Sequence, residues 1–203
     1  MSRAHRILWA AAALLGAAPL AAEEPAHAHV HGAAPAPAAL PGGSLYQLGV
    51  GLDAAGAGRL ALDSLRGGPV VVTMFYSSCT TVCPMLTLAM QRLAAGLDEH
   101  QRGRVRFLMV SLDAERDSPP RLEEFAASHH LPRPPFIVAH AAAADVRAIA
   151  AALGIRYRQL PDLSFSHSSV ITLLDRDGVP QARTQVLAAE DPGFVASLKA
   201  QLQ

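Results

Sequence analysis

The chain of 203 residues holds two cysteines, Cys79 and Cys83, four positions apart in the run YSSCTTVCP. Val70 to Tyr76 before them is continuously apolar and β-branched, the pattern of a strand covered on both faces. Helical spacing follows through Val82, Leu86, Met90, Leu93 and Leu97. The first sulfur is therefore expected where a helix begins, beside backbone N–H groups without helical partners, and these groups and the helix dipole favour a thiolate. On one helical face, side chains four apart lie about 5–6 Å from one another. A disulfide closes that gap with slight adjustment, and a soft metal ion bridges it more easily. An inert staple is the less favoured alternative, because so short a bridge removes little loop entropy. Pro84 suits the first turn of the helix.

His167 lies in DLSFSHSSVITLLD, just before the hydrophobic strand Val170 to Leu174. That places it at a sheet end, where a loop residue can face the cysteine loop. An isolated histidine is usually a solvated or satisfied polar group, but opposite two thiols it offers an imidazole as a third ligand for a soft or borderline ion. His27, His29 and His31 alternate in HAHVH. In an extended segment they would share one side and could chelate copper, and they equally suit a polar interruption in a low-complexity linker. Met85, Met90 and Met109 are read as core packing rather than soft ligands. His100, His129, His130 and His140 have no arrangement that suggests a site. Asp113 ends an apolar strand and precedes Glu115, Arg116 and Asp117, which by itself describes a solvated loop with weak local ion pairs.

The elements that must position these groups can be read along the chain. In residues 1–22, Arg3 and Arg6 precede the apolar run Ile7 to Leu20, and Ala21 and Ala22 follow before an acidic pair, the layout of a secretory signal. Export to the periplasm or another oxidising compartment is expected, where two cysteines can pair. If the segment is not cleaved, it would anchor the chain to a membrane. Residues 23–43, rich in Ala, Pro, Gly and His, read as a flexible tether, and residues 44–203 as one folded domain.

Tyr46 to Val50 and Arg59 to Leu62 flank DAAGAG as a small hairpin. Strands are expected at Val70 to Tyr76, Val105 to Leu112 and Phe136 to Ala139. Helices are expected over residues 80–97, from Pro119 to His129 with Ser118 as cap, and from Ala142 to Leu153 with Gly154 closing it. Val170 to Leu174 and Val179 to Thr184 form a hairpin through Asp177-Gly178, and Phe194 to Leu202 is a last helix. This is an α/β chain in the thioredoxin-like order, a central mixed sheet flanked by helices, with an N-terminal hairpin. A thiol oxidoreductase of that order typically has a proline just before the penultimate strand, facing its cysteines. Here the nearest upstream is Pro161, and the local residues are Ser, His and Ser.

Composition excludes other classes. Seventeen basic and seventeen acidic groups leave a formal net charge of zero, so no field draws a polyanion and nucleic-acid binding is not expected. The chain is 51% hydrophobic, with 40 alanines inflating that share, yet the Val, Ile, Leu and Phe runs from 70 to 174 supply a core and exclude disorder throughout.

With these motifs in place, residues 44–203 resemble the Sco family (SenC/PrrC-like), thioredoxin-fold copper-binding proteins of cytochrome c oxidase assembly. FYSSCTTVCP carries the resemblance for the cysteine loop, SLDAERDSP for the next strand end and FSHSSVITLLDRDG for the histidine loop. The resemblance implies Cys79, Cys83 and His167 as copper ligands and Asp113 as a nearby acidic residue in the second layer. Thr80 and Ala114 stand where the family usually has proline, changes that bear on loop stiffness or redox potential and remove no ligand.

The leading expectation is an exported metallochaperone that delivers copper to the dinuclear centre of the oxidase's copper-binding subunit. Other copper chaperones and a thiol reductant are further partners to expect. The alternatives are a thiol-disulfide reductase of that subunit's cysteines, with Cys79 and Cys83 as its catalytic pair, and a redox or copper sensor.

Overall fold

The computed structural model describes residues 39–203. The apolar run at Ile7 to Leu20 and His27, His29 and His31 lie outside the described residues. Among the described residues, no helix is long and apolar enough to cross a membrane.

Strand β1 (Gly51–Ala54) turns back into β2 (Gly58–Ala61), and a 3-10 turn leads to β3 (Val70–Phe75). Helices α1 (Cys83–Ala95) and α2 (Glu99–Arg104) follow, then β4 (Arg106–Ser111), α3 (Pro119–Ser128), β5 (Phe136–His140) and α4 (Ala143–Leu153). Short strands β6 (Tyr157–Gln159) and β7 (Phe165–His167) precede the hairpin of β8 (Ile171–Leu174) and β9 (Pro180–Thr184), and α5 (Pro192–Ala200) closes the fold.

Seven strands form one mixed sheet in the order β2-β1-β5-β4-β3-β8-β9, while β6 and β7 pair separately. Strand β3 runs parallel to β4, with Val70 opposite Arg106, and antiparallel to β8, with Val70 opposite Leu174. All six residues of β3 are buried because both sheet faces are covered. Val71, Phe75, Phe107, Met109, Ile171 and Leu173 face one layer, where α1, α3 and α5 contribute Leu86, Met90, Leu122, Phe125, Phe194 and Leu198. The alternate residues Val70, Val72, Met74, Leu108 and Val110 face α4 and the N-terminal segment through Val146, Ile149, Leu153 and Tyr46. The period of two along each strand thus sends alternate side chains into two cores.

The N-terminal hairpin is present, with its first arm displaced: residues 51–54 pair, and Leu45–Leu48 forms a 3-10 helix instead. Ser44 explains the difference, since its hydroxyl accepts from the Tyr46 N–H at 3.1 Å and holds a turn. Ordered contacts begin ahead of Ser44, because Leu40 packs against the second core and the Pro41 carbonyl accepts from the Ser44 N–H. Ser118 occupies the cap of α3 without a side-chain capping bond. The expected strand and helix order otherwise holds, with α2, β6 and β7 added.

Candidate metal centre

The cysteine loop grows out of the buried end of β3. The Cys79 N–H donates to the Tyr76 carbonyl at 3.2 Å, closing a tight turn. Helix α1 begins only at Cys83, so Cys79 is not on it and the expected shared helical face does not form. Instead the Cys83 N–H, at the helix start, donates to the Cys79 sulfur at 3.4 Å. The sulfur stands in for a capping oxygen, and the positive helix end favours its thiolate. Thr81 Oγ1 lies 3.7 Å from the same sulfur.

His167 ends β7, paired with Tyr157 across the small hairpin. Its Nε2 stands 3.8 Å from Cys83 Sγ, and its Nδ1 is 3.2 Å from the Ser168 carbonyl. A carbonyl only accepts, so Nδ1 carries the proton and the Nε2 lone pair faces the thiol. Tyr76 packs edge-on against the imidazole at 6.0 Å and against Phe165 at 5.3 Å, walling the site with aromatic surface.

The two thiols differ electrostatically. Burial pushes Cys79 up, but hydrogen bonds from the Cys83 thiol and N–H, the Thr81 N–H and Tyr76 outweigh it and bring the group to about 7. Burial raises Cys83 well above the ordinary thiol range, and its hydrogen bond to Cys79 and the nearby Cys79 and Asp117 charges add to this. Burial also lowers His167, against the opposing Ser168 bond, which keeps the imidazole neutral and able to donate a lone pair at neutral pH. One thiol poised to ionise near neutral pH, one more deeply shielded thiol and one neutral imidazole suit either a soft metal or thiol exchange. Among the described residues no three His, Cys, Asp or Glu side chains already enclose an ion. Binding an ion through both sulfurs as thiolates would release the Cys83 proton.

The neighbouring carboxylates divide differently from the sequence expectation. Asp113 is buried and turned toward Arg116, whose N–H and guanidinium it accepts. Arg116 in turn donates to the Leu163 carbonyl, in the loop between β6 and β7. The carboxylate that reaches the cysteine loop is Asp117, which accepts from the Ser77 N–H at 2.9 Å, the Ser77 hydroxyl and the Ser111 hydroxyl. The sequence reads Asp117, like Arg116, as a structural residue of a charged loop, and its bonds to Ser77 and Ser111 show which turn it holds. Met90 and Met109 are core residues, whereas Met85 is exposed on α1. His129 stacks on Phe125 and His140 faces Asp53, both away from the cysteines.

A central mixed sheet flanked by helices, with a buried cysteine pair set against an imidazole at one end, defines a thioredoxin-like fold. The SCO1/SenC family model matches residues 53–202, and the chain belongs to that family. The SCO1 protein homolog of Bacillus subtilis (strain 168) is 33% identical over 73 residues, 36% of this chain and 37% of that protein. A Stutzerimonas stutzeri protein described as copper-binding is 24% identical over 120 residues, 57% of each. The chain thus spans less than two thirds of the length of either curated relative. The structure of Bradyrhizobium japonicum ScoI with copper bound has a TM-score of 0.63 at 21% identity, covering 75% of this chain and 97% of that one. Likeness at that identity bears on the fold.

Proposed function

We propose that this protein is an exported copper metallochaperone that serves the dinuclear copper centre of cytochrome c oxidase. Reduced Cys79 and Cys83 bind the ion as thiolates, His167 completes the site through Nε2, and ligand exchange hands the ion to the oxidase's copper-binding subunit. Copper is cargo here. The observation that carries this reading is the Nε2 lone pair held 3.8 Å from Cys83 Sγ by the bond from Nδ1 to Ser168. The imidazole lone pair supplies a borderline donor to a metal beside the two sulfurs. Family membership, the copper-bound relative and the copper-binding description of another support the choice of ion.

Asp113 acts at one remove, holding Arg116 against the loop that precedes β7. His27, His29 and His31 form an auxiliary copper site in the tether, and the basic and apolar pattern of residues 1–22 supports export. Other copper chaperones load the site, and a thiol reductant keeps it open.

A second reading is favoured by the asymmetry of the thiols. As a reductase, the Cys79 thiolate would attack a recipient disulfide, releasing one thiolate and forming a mixed disulfide. Cys83, losing its proton, would then attack Cys79 and release the second thiol. Two electrons pass to the recipient, and a small-molecule or protein dithiol must reset the Cys79–Cys83 disulfide.

Copper titration of the reduced full chain tests the first reading. The core site should fill with one equivalent of copper, and Cys79→Ala or Cys83→Ala should abolish it. His167→Ala should weaken binding or alter its charge-transfer spectrum more than His140→Ala. Identical affinities and spectra for the two histidine variants would remove His167 from the site.

A further inference from the structure

At the end of the sheet opposite the cysteines lies a cavity of about 700 Å³, lined by Arg66, Arg104, Arg106 and Arg176 around Gly67-Gly68-Pro69. The four arginines arrive from four places: the turn before β3, the end of α2, the start of β4 and the turn after β8. Their convergence is not a by-product of a basic protein, since the whole chain has no net formal charge.

Among the described residues, one acidic side chain pairs with them: Asp177 takes Arg66 at 2.9 Å. Arg104 donates to the Leu202 carbonyl at 2.6 Å and to the main-chain oxygen of Gln203, which also lines the cavity, at 3.5 Å, and Arg106 donates to the Gly103 and Val105 carbonyls at 3.2 and 3.1 Å. Among the described residues, neither these two nor Arg176 forms an ion pair with an Asp or Glu side chain. The carbonyls orient the guanidinium forks without neutralising them. The floor is closed by backbone: a Cβ on Gly68 would come within 2.7 Å of the Arg104 carbonyl oxygen, so the glycine lets two segments touch and adds no side chain to the basin. Four guanidinium groups with one acidic side chain among them repel one another, and an anion bound between them relieves that repulsion.

We propose that this cavity is a binding site for a phosphate group. Guanidinium forks match oxyanions through paired N–H donors. Forks approaching from several elements suit the spread oxygens of a tetrahedral anion better than the single plane of a carboxylate. The group can come from free phosphate or from a phospholipid headgroup. The second source has a physical basis, because the chain enters the domain at this same end: Ser44 Oγ donates to the Asp177 carbonyl and the Leu45 N–H to the Gly178 carbonyl.

The reduced, copper-free full chain, isotope-labelled, is titrated with inorganic phosphate and with acetate at matched ionic strength. Phosphate should saturate shifts of the Gly67 and Gly68 amides and the arginine side chains. The variant Arg106→Ala/Arg176→Ala should bind about tenfold more weakly or worse, as loss of charge-assisted bonds implies, with Arg176→Gln intermediate. Both substitutions lie at the sheet end opposite the cysteines, so copper stoichiometry should match the parent, and relief of like-charge repulsion offsets the lost Arg106 bonds to Gly103 and Val105, so the thermal midpoint should not fall below the parent's by more than a few degrees. In a second arm, wild type and variant are sedimented with phosphatidylcholine vesicles and with vesicles containing phosphatidylglycerol. Stronger retention of wild type only on the anionic vesicles identifies the headgroup as the source, whereas phosphate binding with equal retention identifies the free anion. No phosphate binding together with equal retention overturns the proposal, as does equal saturable binding of acetate or undiminished phosphate binding by both variants.

Discussion

Cys79 and Cys83 share a residue type and differ in what surrounds the sulfur. Cys79 receives the first N–H of α1, while Cys83 lies 1% exposed beneath it. In the reduced, metal-free protein, alkylation by iodoacetamide should modify Cys79 first, with a rate half-maximal near its value of about 7. Cys83 should lag throughout the neutral range, and peptide mass spectrometry that found Cys83 the faster would refute the asymmetry. The sign for stability follows. A depressed thiol value in the folded state means that the Cys79 contribution is full above the ordinary thiol range and is lost as pH falls through about 7. Cys79, Cys83 and His167 were legible as a set because each sits in a motif whose neighbours announce a strand end. Asp117 was not, since its partner Ser77 lies 40 residues away and a charged loop looks the same whether it faces water or a buried turn. Asp117→Ala should cost about 2–4 kcal/mol, because it leaves three donors around Ser77 and Ser111 without an acceptor. Asp113→Ala should cost less, since Arg116 is 40% exposed and can turn to water. Denaturant unfolding of both variants checks the order.

The long elements were legible because burial on both faces writes continuous apolar runs, as in β3, and helical burial writes a period near 3.6. Strands β6 and β7 were not, because three residues give no room for an alternation. Yet they carry His167, so the element that completes the site was among the least visible. The same limit applied to the start of α1, where apolar periodicity extended across Thr81 and Val82 although the helix begins at Cys83. Turn chemistry was a better guide. Asp177-Gly178 does join β8 to β9, and Gly178 has φ of 80°. A Cβ there would also meet the Tyr46 ring at 2.6 Å, and Tyr46 is fully buried in the second core. Gly178→Ala therefore combines left-handed strain with overpacking, and should destabilise by about 2–4 kcal/mol. Equal denaturation midpoints for this variant and the parent would mean that the hairpin can move away from the 3-10 helix at no cost.

At the scale of the molecule, β3 and β8 run antiparallel and bring their site-bearing connections to one end of the sheet, so the cysteine loop and the histidine strand are held by one rigid frame. That arrangement makes the choice between metal transfer and thiol exchange a question about the oxidation state of a single pair. A soft-metal site made of thiolates must close when the sulfurs join, because a disulfide has lost the two anionic donors that hold the ion. Oxidised protein should accordingly bind no copper at the core. As a metallochaperone, the reduced copper-loaded form should metallate a recipient whose cysteines are already reduced, and His167→Ala should impair that step although both thiols survive. As a reductase, the copper-free form should reduce the recipient's disulfide in the presence of a dithiol, with His167→Ala largely tolerated in the first attack because Nε2 stands beside Cys83 and the attacking sulfur is that of Cys79. Mixing each form with an oxidase copper domain in both redox states, while following copper transfer and thiol release separately, distinguishes the two. We expect copper transfer that depends on His167. Rapid thiol release by the copper-free protein, with no copper passed by the loaded one, would leave the imidazole without a task and turn the assignment from carrier to reductase.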